Sequence, residues 1–368
     1  MDDIEEVKEE TEQFAEIVDV RMQSDFRNTT FSEYSKSGAK RELISSLMNN
    51  RIEESCYWSC QFICAGHFIE LWEIIIHYYS KYIHTANIKL AVYLDARLDC
   101  FMRILGNGYV GREIYMRNNE KVRELFCEII TILAVSNKYH TFIETKIDKE
   151  VDFDLTKIID KFKAPNNEYY KRVLTSEDPK EIIIAMNEFI YSLESKNCVD
   201  CYYWLEWIIE LINTRSKMRG EKLVGMRRTY LKKVDNNQFN VIWAVWEAIL
   251  LESENAPTII QKIVSSLLNI FCFYFSTPSI KKHKYVMYFA ISLVTNNVVV
   301  KNDNIIADKD KLAMVMAQIN NIYLQLKRSE VKPNTEYLFA NLKKSNLEQT
   351  MAKIDKMNEF SDNFIPRT

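Results

Sequence analysis

Ile52-Glu53-Glu54-Ser55-Cys56-Tyr57-Trp58-Ser59-Cys60-Gln61-Phe62-Ile63-Cys64 is the stretch on which the fold class turns. Cys56, Cys60 and Cys64 stack at every fourth position, and Trp58, Phe62 and Ile63 broaden the same apolar surface. That is a helical period, not the alternation of a strand. Ala65-Gly66 follows, and Gly66 reads as the C-terminal cap. Residues 67–82 form the next helix, with Phe68, Leu71, Trp72, Ile75, Ile76 and Tyr79 inward. Upstream, Leu43, Ile44 and Leu47 mark a helix that begins near Lys40 and ends at Asn49-Asn50.

Downstream the texture repeats. Helices are expected over 88–105, 120–135, 148–162, 168–174, 180–193, 201–213, 240–252, 257–275, 284–294 and 308–327, with one or two more over 333–360. The chain has only 7 Gly and 6 Pro in 368 residues, far below the usual combined share of ~12%. Sheets need those residues in many tight turns, so their scarcity favours long helices with few connections. Val298-Val299-Val300 has strand character, but one strand makes no sheet. The expectation is an all-α protein of two packed helical bundles, with a helical-repeat flavour. Trp58 with Trp72-Glu73-Ile74, Trp204-Leu205-Glu206-Trp207-Ile208-Ile209 and Trp243-Ala244-Val245-Trp246-Glu247-Ala248-Ile249 echo one another at irregular spacing. Pro165-Asn166-Asn167 suggests a boundary. The division is then an acidic arm and linker (1–37), a bundle (38–165), a second bundle (166–330) and a terminal helix and tail (331–368).

Composition bounds function. Hydrophobic residues at 47% allow a sizeable core, and a net charge of −3 favours no class of partner. The first 19 residues carry nine acids and the single base Lys8, the opposite of a secretory or mitochondrial leader. The eight Cys form no dense framework, so reduced thiols in an intracellular, non-secreted setting are expected. The longest unbroken apolar stretch, Tyr285 to Ile291, is a fraction of a membrane span.

Few motifs carry chemistry. Gly106-Asn107-Gly108-Tyr109-Val110-Gly111 matches a GxGxxG string, but it follows a helical pattern, and a dinucleotide fingerprint needs a strand before it. A glycine-bearing helix–helix loop is the reading adopted. Cys56, Cys60, Cys64 and His67 lie along one helix line, too spread for a tetrahedral metal, and read as buried thiols. Cys198-Val199-Asp200-Cys201 is a lone CxxC without a second pair. His67, His77, His84, His140 and His283 sit in no recognised catalytic frame. The expectation is therefore no enzyme, no cofactor and no metal.

Charge and aromatic residues are the remaining assets. Arg215, Lys217, Arg219, Lys222, Arg227, Arg228, Lys232 and Lys233 face one acid, Glu221, within 215–233, and Gly220 and Gly225 break the segment into a loop. Lys281, Lys282, His283 and Lys284 form a second cluster. Such clusters neutralise phosphates, meet an acidic protein surface, or are merely solvated. The pairs Trp204/Trp207 and Trp243/Trp246 each cover one helix face, and a fraction of them are candidate interface anchors.

The segments Lys40-Arg41-Glu42-Leu43-Ile44, Glu53-Glu54-Ser55-Cys56-Tyr57-Trp58, Ala65-Gly66-His67-Phe68 and Leu71-Trp72-Glu73-Ile74-Ile75 resemble an α-helical protein family of nucleocytoplasmic large DNA viruses. So do Trp243-Ala244-Val245-Trp246-Glu247 and Lys284-Tyr285-Val286-Met287-Tyr288-Phe289-Ala290-Ile291-Ser292-Leu293. The resemblance spans about residues 40–295 and suits the Ile-, Lys-, Asn- and Tyr-rich composition. It implies a virus-encoded protein of the virion or infected-cell cytoplasm, a minor capsid or assembly component with protein partners, and transfers no site. The helix–break–helix around Gly66-His67-Phe68 is also similar to the collar domain of replication-factor-C-type clamp loaders. Their nucleotide-binding module is absent, so that likeness implies a non-ATPase, nucleic-acid-binding accessory of replication or packaging.

Overall fold

In the computed structural model the described residues are 15–218, 223–231, 237–296, 298, 300, 304–306 and 308–332. Helices form where the apolar period runs. They are α1 (Lys36–Met48), α2 (Ile52–Cys64), α3 (Phe68–Tyr78), α4 (Leu90–Gly106), α5 (Glu120–Val135), α6 (Ile183–Glu194), α7 (Cys198–Met218), α8 (Ile242–Ser253), α9 (Thr258–Phe271), α10 (Ser279–Thr295) and α11 (Lys309–Lys327). The protein is all-α. Among the described residues the only β pairing is two isolated bridges, Thr29 with Ser35 and Val224 with Asn240.

Local chemistry sets the ends. Ser35, Asn119 and Asp308 cap α1, α5 and α11 by accepting bonds from the amides of Gly38, Val122 and Lys311, which satisfies donors a helix start leaves free. After α2 the chain closes a Schellman motif. Gly66 takes φ +77°, its amide bonds the Ile63 carbonyl at 3.0 Å, and the His67 amide bonds the Phe62 carbonyl at 2.9 Å. After α3 the helix widens into one π turn, Tyr79–Ile83.

α10 is the axis of the molecule. From Tyr285 to Thr295 every side chain is buried, as expected of a helix apolar on all sides. It packs against α3, α6, α7, α8 and α9. The two expected halves share one continuous hydrophobic core running from Ala15 to Leu326. α4 packs on α9, α3 on α10, and α11 returns from the second half to lie on α2 and α5.

Three expectations change. Residues 22–38 are not a linker. Phe26 and Phe31 are buried, and His67 Nε2 lies 2.8 Å from the Phe26 carbonyl and 2.9 Å from that of Thr29. Two aromatic anchors suffice to fix a segment whose average composition is polar. This N-terminal strap also meets the chain beyond α11, with Val20 bonded to the Val331 carbonyl and the Val331 amide to Asp19. Residues 148–162 and 168–174 hold only single turns, Lys149–Asp152, Ile159–Lys161 and Tyr169–Arg172. There Asp148 caps the first turn, and Asp154 bonds the Thr156 amide and competes with helix continuation. The terminal helices expected over 333–360, and residues 1–14 of the acidic arm, lie outside the described residues.

Candidate functional site

The basic segment begins on the last turn of α7. Arg215 pairs with Glu181 at 3.5 Å, and Lys217 is exposed. Arg219, Lys222, Lys232 and Lys233 lie outside the described residues. Arg227 is exposed, whereas its neighbour Arg228 is buried. Arg228 is therefore not a surface phosphate ligand. Its guanidinium bonds both Asp178 oxygens at 2.9 Å and the Val173 carbonyl at 3.1 Å, and it meets Glu247 at 3.1 Å. Burial pushes the Glu247 carboxyl above its ordinary range, Arg228 opposes that and Asp178 adds to it.

This cluster roots the loop. Asp178 also accepts the amides of Met226 at 3.0 Å and Thr175 at 2.9 Å. Gly225 donates to the Phe239 carbonyl at 2.8 Å, and a Cβ on Gly225 would stand 2.9 Å from Asp178 Oδ1. Tyr230 donates to the Trp243 carbonyl. Residues 223–231 are thus held to α8 and to the turn before α6, while Arg227 points to solvent.

The second basic cluster is neutralised in place. Lys281 pairs with Glu210, Lys282 with Glu73, and Lys284 with Glu206 and Glu144. His283 is buried, and burial drives its pKa down to about 4. The tryptophans are core residues: Trp204, Trp243 and Trp246 are essentially inaccessible and Trp207 is 5% exposed. Helix faces that carry two Trp are the faces that turn inward, so these four do not anchor an interface at the outer surface.

Trp207 does, however, wall a cavity. An open cleft of about 400 Å³ is lined by Phe153, Leu155, Glu181, Ile184, Trp207, Leu211, Thr214 and Arg215. Asp152, behind this lining, holds Trp207 in place. The Trp207 indole donates to the Asp152 carbonyl at 2.7 Å and Tyr203 to its carboxylate at 2.6 Å, and Lys161 pairs with that carboxylate at 2.8 Å. Burial disfavours the Asp152 carboxylate, but the Lys161 and Tyr203 bonds outweigh it and hold the pKa below the usual range. Phe153, next in the chain, is brought edge-on to Trp207 at 5.3 Å. The Thr214 hydroxyl is buried with no hydrogen-bond partner among the described residues.

A larger cavity, about 520 Å³, lies under residues 139–145 and is lined by groups including His84, Phe142, Cys198 and Tyr202. His84 follows the π turn at φ +26°, stacks on Phe142 at 4.4 Å, and bonds the His140 carbonyl at 3.0 Å. Burial lowers its pKa to about 4. Glu144 pins this strap through Tyr285, Lys81 and Lys284. Those bonds, Tyr285's foremost, hold the Glu144 carboxyl down at about 2.

None of the eight cysteines forms a disulfide. Cys56, Cys60 and Cys64 are buried, and burial pushes the Cys64 thiol up to about 12. Among the described residues no group of three or more His, Cys, Asp or Glu is placed to hold a metal ion, and no helix is long and apolar enough to cross a membrane. The GxGxxG string follows helix α4, with Gly108 and Gly111 at positive φ. Comparison with protein-family models, with curated proteins and with solved structures finds no match for this chain.

Proposed function

We propose that this chain is a non-enzymatic structural and interaction protein that bridges partners. Its contact element is the basic segment between α7 and α8. The observation that carries the reading is the contrast within Arg227-Arg228. One arginine is locked inside by the buried Asp178 and the part-buried Glu247, and its neighbour is thereby held out in solvent. A loop rooted in this way presents charge without losing much chain entropy on binding. In the setting the viral resemblance implies, the protein is a minor capsid or assembly component. A second reading, a nucleic-acid-binding accessory of replication or packaging, is favoured by the cavity that opens beside Arg215.

Particle fractionation separates the two placements. Quantitative mass spectrometry of nuclease-treated particles and emptied shells should find the chain retained in shells at a fixed ratio to the main coat protein. Its absence from particles, with abundance in infected cells, removes the capsid placement and leaves the accessory. The contact element has its own test. Lys217→Glu with Arg227→Glu should abolish binding to a polyanion column at physiological salt while helicity stays unchanged. Unaltered retention sinks the assignment.

A further inference from the structure

The α7 end of the Trp207 cavity combines features that no single structural role explains. Each helical residue turns about 100°. Measured from Trp207, Leu211 and Thr214 stay within about 40° of its line, while Arg215 and Lys217 stand about 80° to either side. Arg215 lines this aromatic-walled cavity, and Lys217 stands beyond its lining. The cavity wall holds the half-buried Phe153 ring, set at right angles to the nearly buried Trp207, and a carboxylate on Glu181 beside the Arg215 guanidinium. An aromatic corner and a polar pair thus meet at one site that a flat ring can enter, with positive charge close by.

We propose that this cavity takes one base of a single-stranded nucleic acid, with the backbone phosphates before and after that base meeting Arg215 and Lys217. A nucleobase has a π face for Phe153, an edge for Trp207, an exocyclic amine for Glu181 and a ring acceptor for Arg215. Base stacking on aromatics between phosphate-tracking cations is the general physics of single-strand binding. A duplex keeps its bases stacked and paired, so it offers the cations but cannot fill the cavity. An acidic peptide is disfavoured because Glu181 stands where its carboxylates would approach. The inference rests on the reading of the basic segment as a contact element and narrows its partner.

The test uses the full chain and three fluorescent probes: an oligodeoxycytidylate of about 15 nucleotides, a duplex of equal length, and poly-glutamate. The single strand should bind about tenfold or more tightly than the duplex and quench tryptophan emission, which the duplex should not. Arg215→Gln and Lys217→Gln should each weaken it several-fold and lower the salt slope by about one. Ile184 lies at the mouth and is 37% exposed, so Ile184→Trp fills the cavity from outside the core. It should erase the single-strand preference and leave duplex affinity unchanged. Equal binding of both forms without quenching, or a preference that survives Ile184→Trp with a native melting profile, overturns the base-in-cavity proposal and leaves the contact element standing. No binding of any of the three at ~50 mM salt removes both.

Discussion

Arg227 and Arg228 are adjacent, chemically identical and opposite in fate. Nothing local separates them. Arg228 is buried because Asp178, fifty residues earlier, and Glu247, on α8, converge on it. A charge count along the chain finds the basic segment but cannot say which bases face out, since that depends on partners distant in sequence. The energetics differ accordingly. Arg228→Ala leaves the buried Asp178 carboxylate without its counter-charge and should cost about 3–5 kcal/mol. Arg227→Ala should stay within about 0.5 kcal/mol of wild type. Urea denaturation of the two variants checks both, and similar midpoints would sink the clasp. Gly66 is the opposite case, legible from its position alone as a cap. A side chain there meets a left-handed φ and stands 3.3 Å from the Ile114 backbone. Gly66→Ala should therefore lose about 1–3 kcal/mol, read as a lowered midpoint at constant m.

At the scale of elements, periodicity located nearly every long helix, because each presents one apolar face to a common core. α2 and α5 run between the very residues their patterns indicated. What stayed hidden were segments fixed by a few contacts: the strap at 15–35, and residues 137–147, which no hydrophobic period marks. The latter are held through Tyr139 to the Tyr82 carbonyl, His84 to the His140 carbonyl, and Glu144 to Tyr285 and two lysines. Glu144 is the one carboxylate among these three holds, and its pKa lies below that of an unfolded glutamate. Its contribution is complete above the ordinary value near 4.5 and is lost as pH falls toward about 2. At neutral pH, Glu144→Gln should raise amide hydrogen exchange over 139–145 while leaving α10 protected. Exchange unchanged in the strap would show that aromatic stacking alone holds it.

At the scale of the whole molecule, one core spans both halves and three histidines are sealed into it or against it. Burial drives His77, His84 and His283 each to about 4. Around each, the facing groups decide the field. Lys40 and Lys81 repel a proton on His77. On His84 the His140 carbonyl favours a proton more than the His140 ring opposes it, and burial outweighs both. For His283, Glu73 would favour the proton and Lys282 disfavour it, with burial dominating. All three native pKa values lie below the unfolded histidine value of 6.5, so between pH 6.5 and 4 the unfolded chain binds more protons than the folded one. Stability is then full above about 6.5 and falls on acidification, by up to about 1.4 kcal/mol per pH unit for each histidine. Three together take up to about 4 kcal/mol per unit from a total that for a domain is about 5–15 kcal/mol. The protein should unfold in acid well above pH 4, and because α11 locks the second half onto α2 and α5, it should do so in one transition rather than two. Circular dichroism and tryptophan emission followed from pH 7.5 to 3.5 should give superimposable curves. His283→Leu removes one of the three sites, and among the described residues neither ring nitrogen has a hydrogen-bond partner to lose. It should shift that transition to lower pH and cost little at pH 7. An unmoved acid midpoint would mean that carboxylates, not these histidines, set the acid limit of the fold.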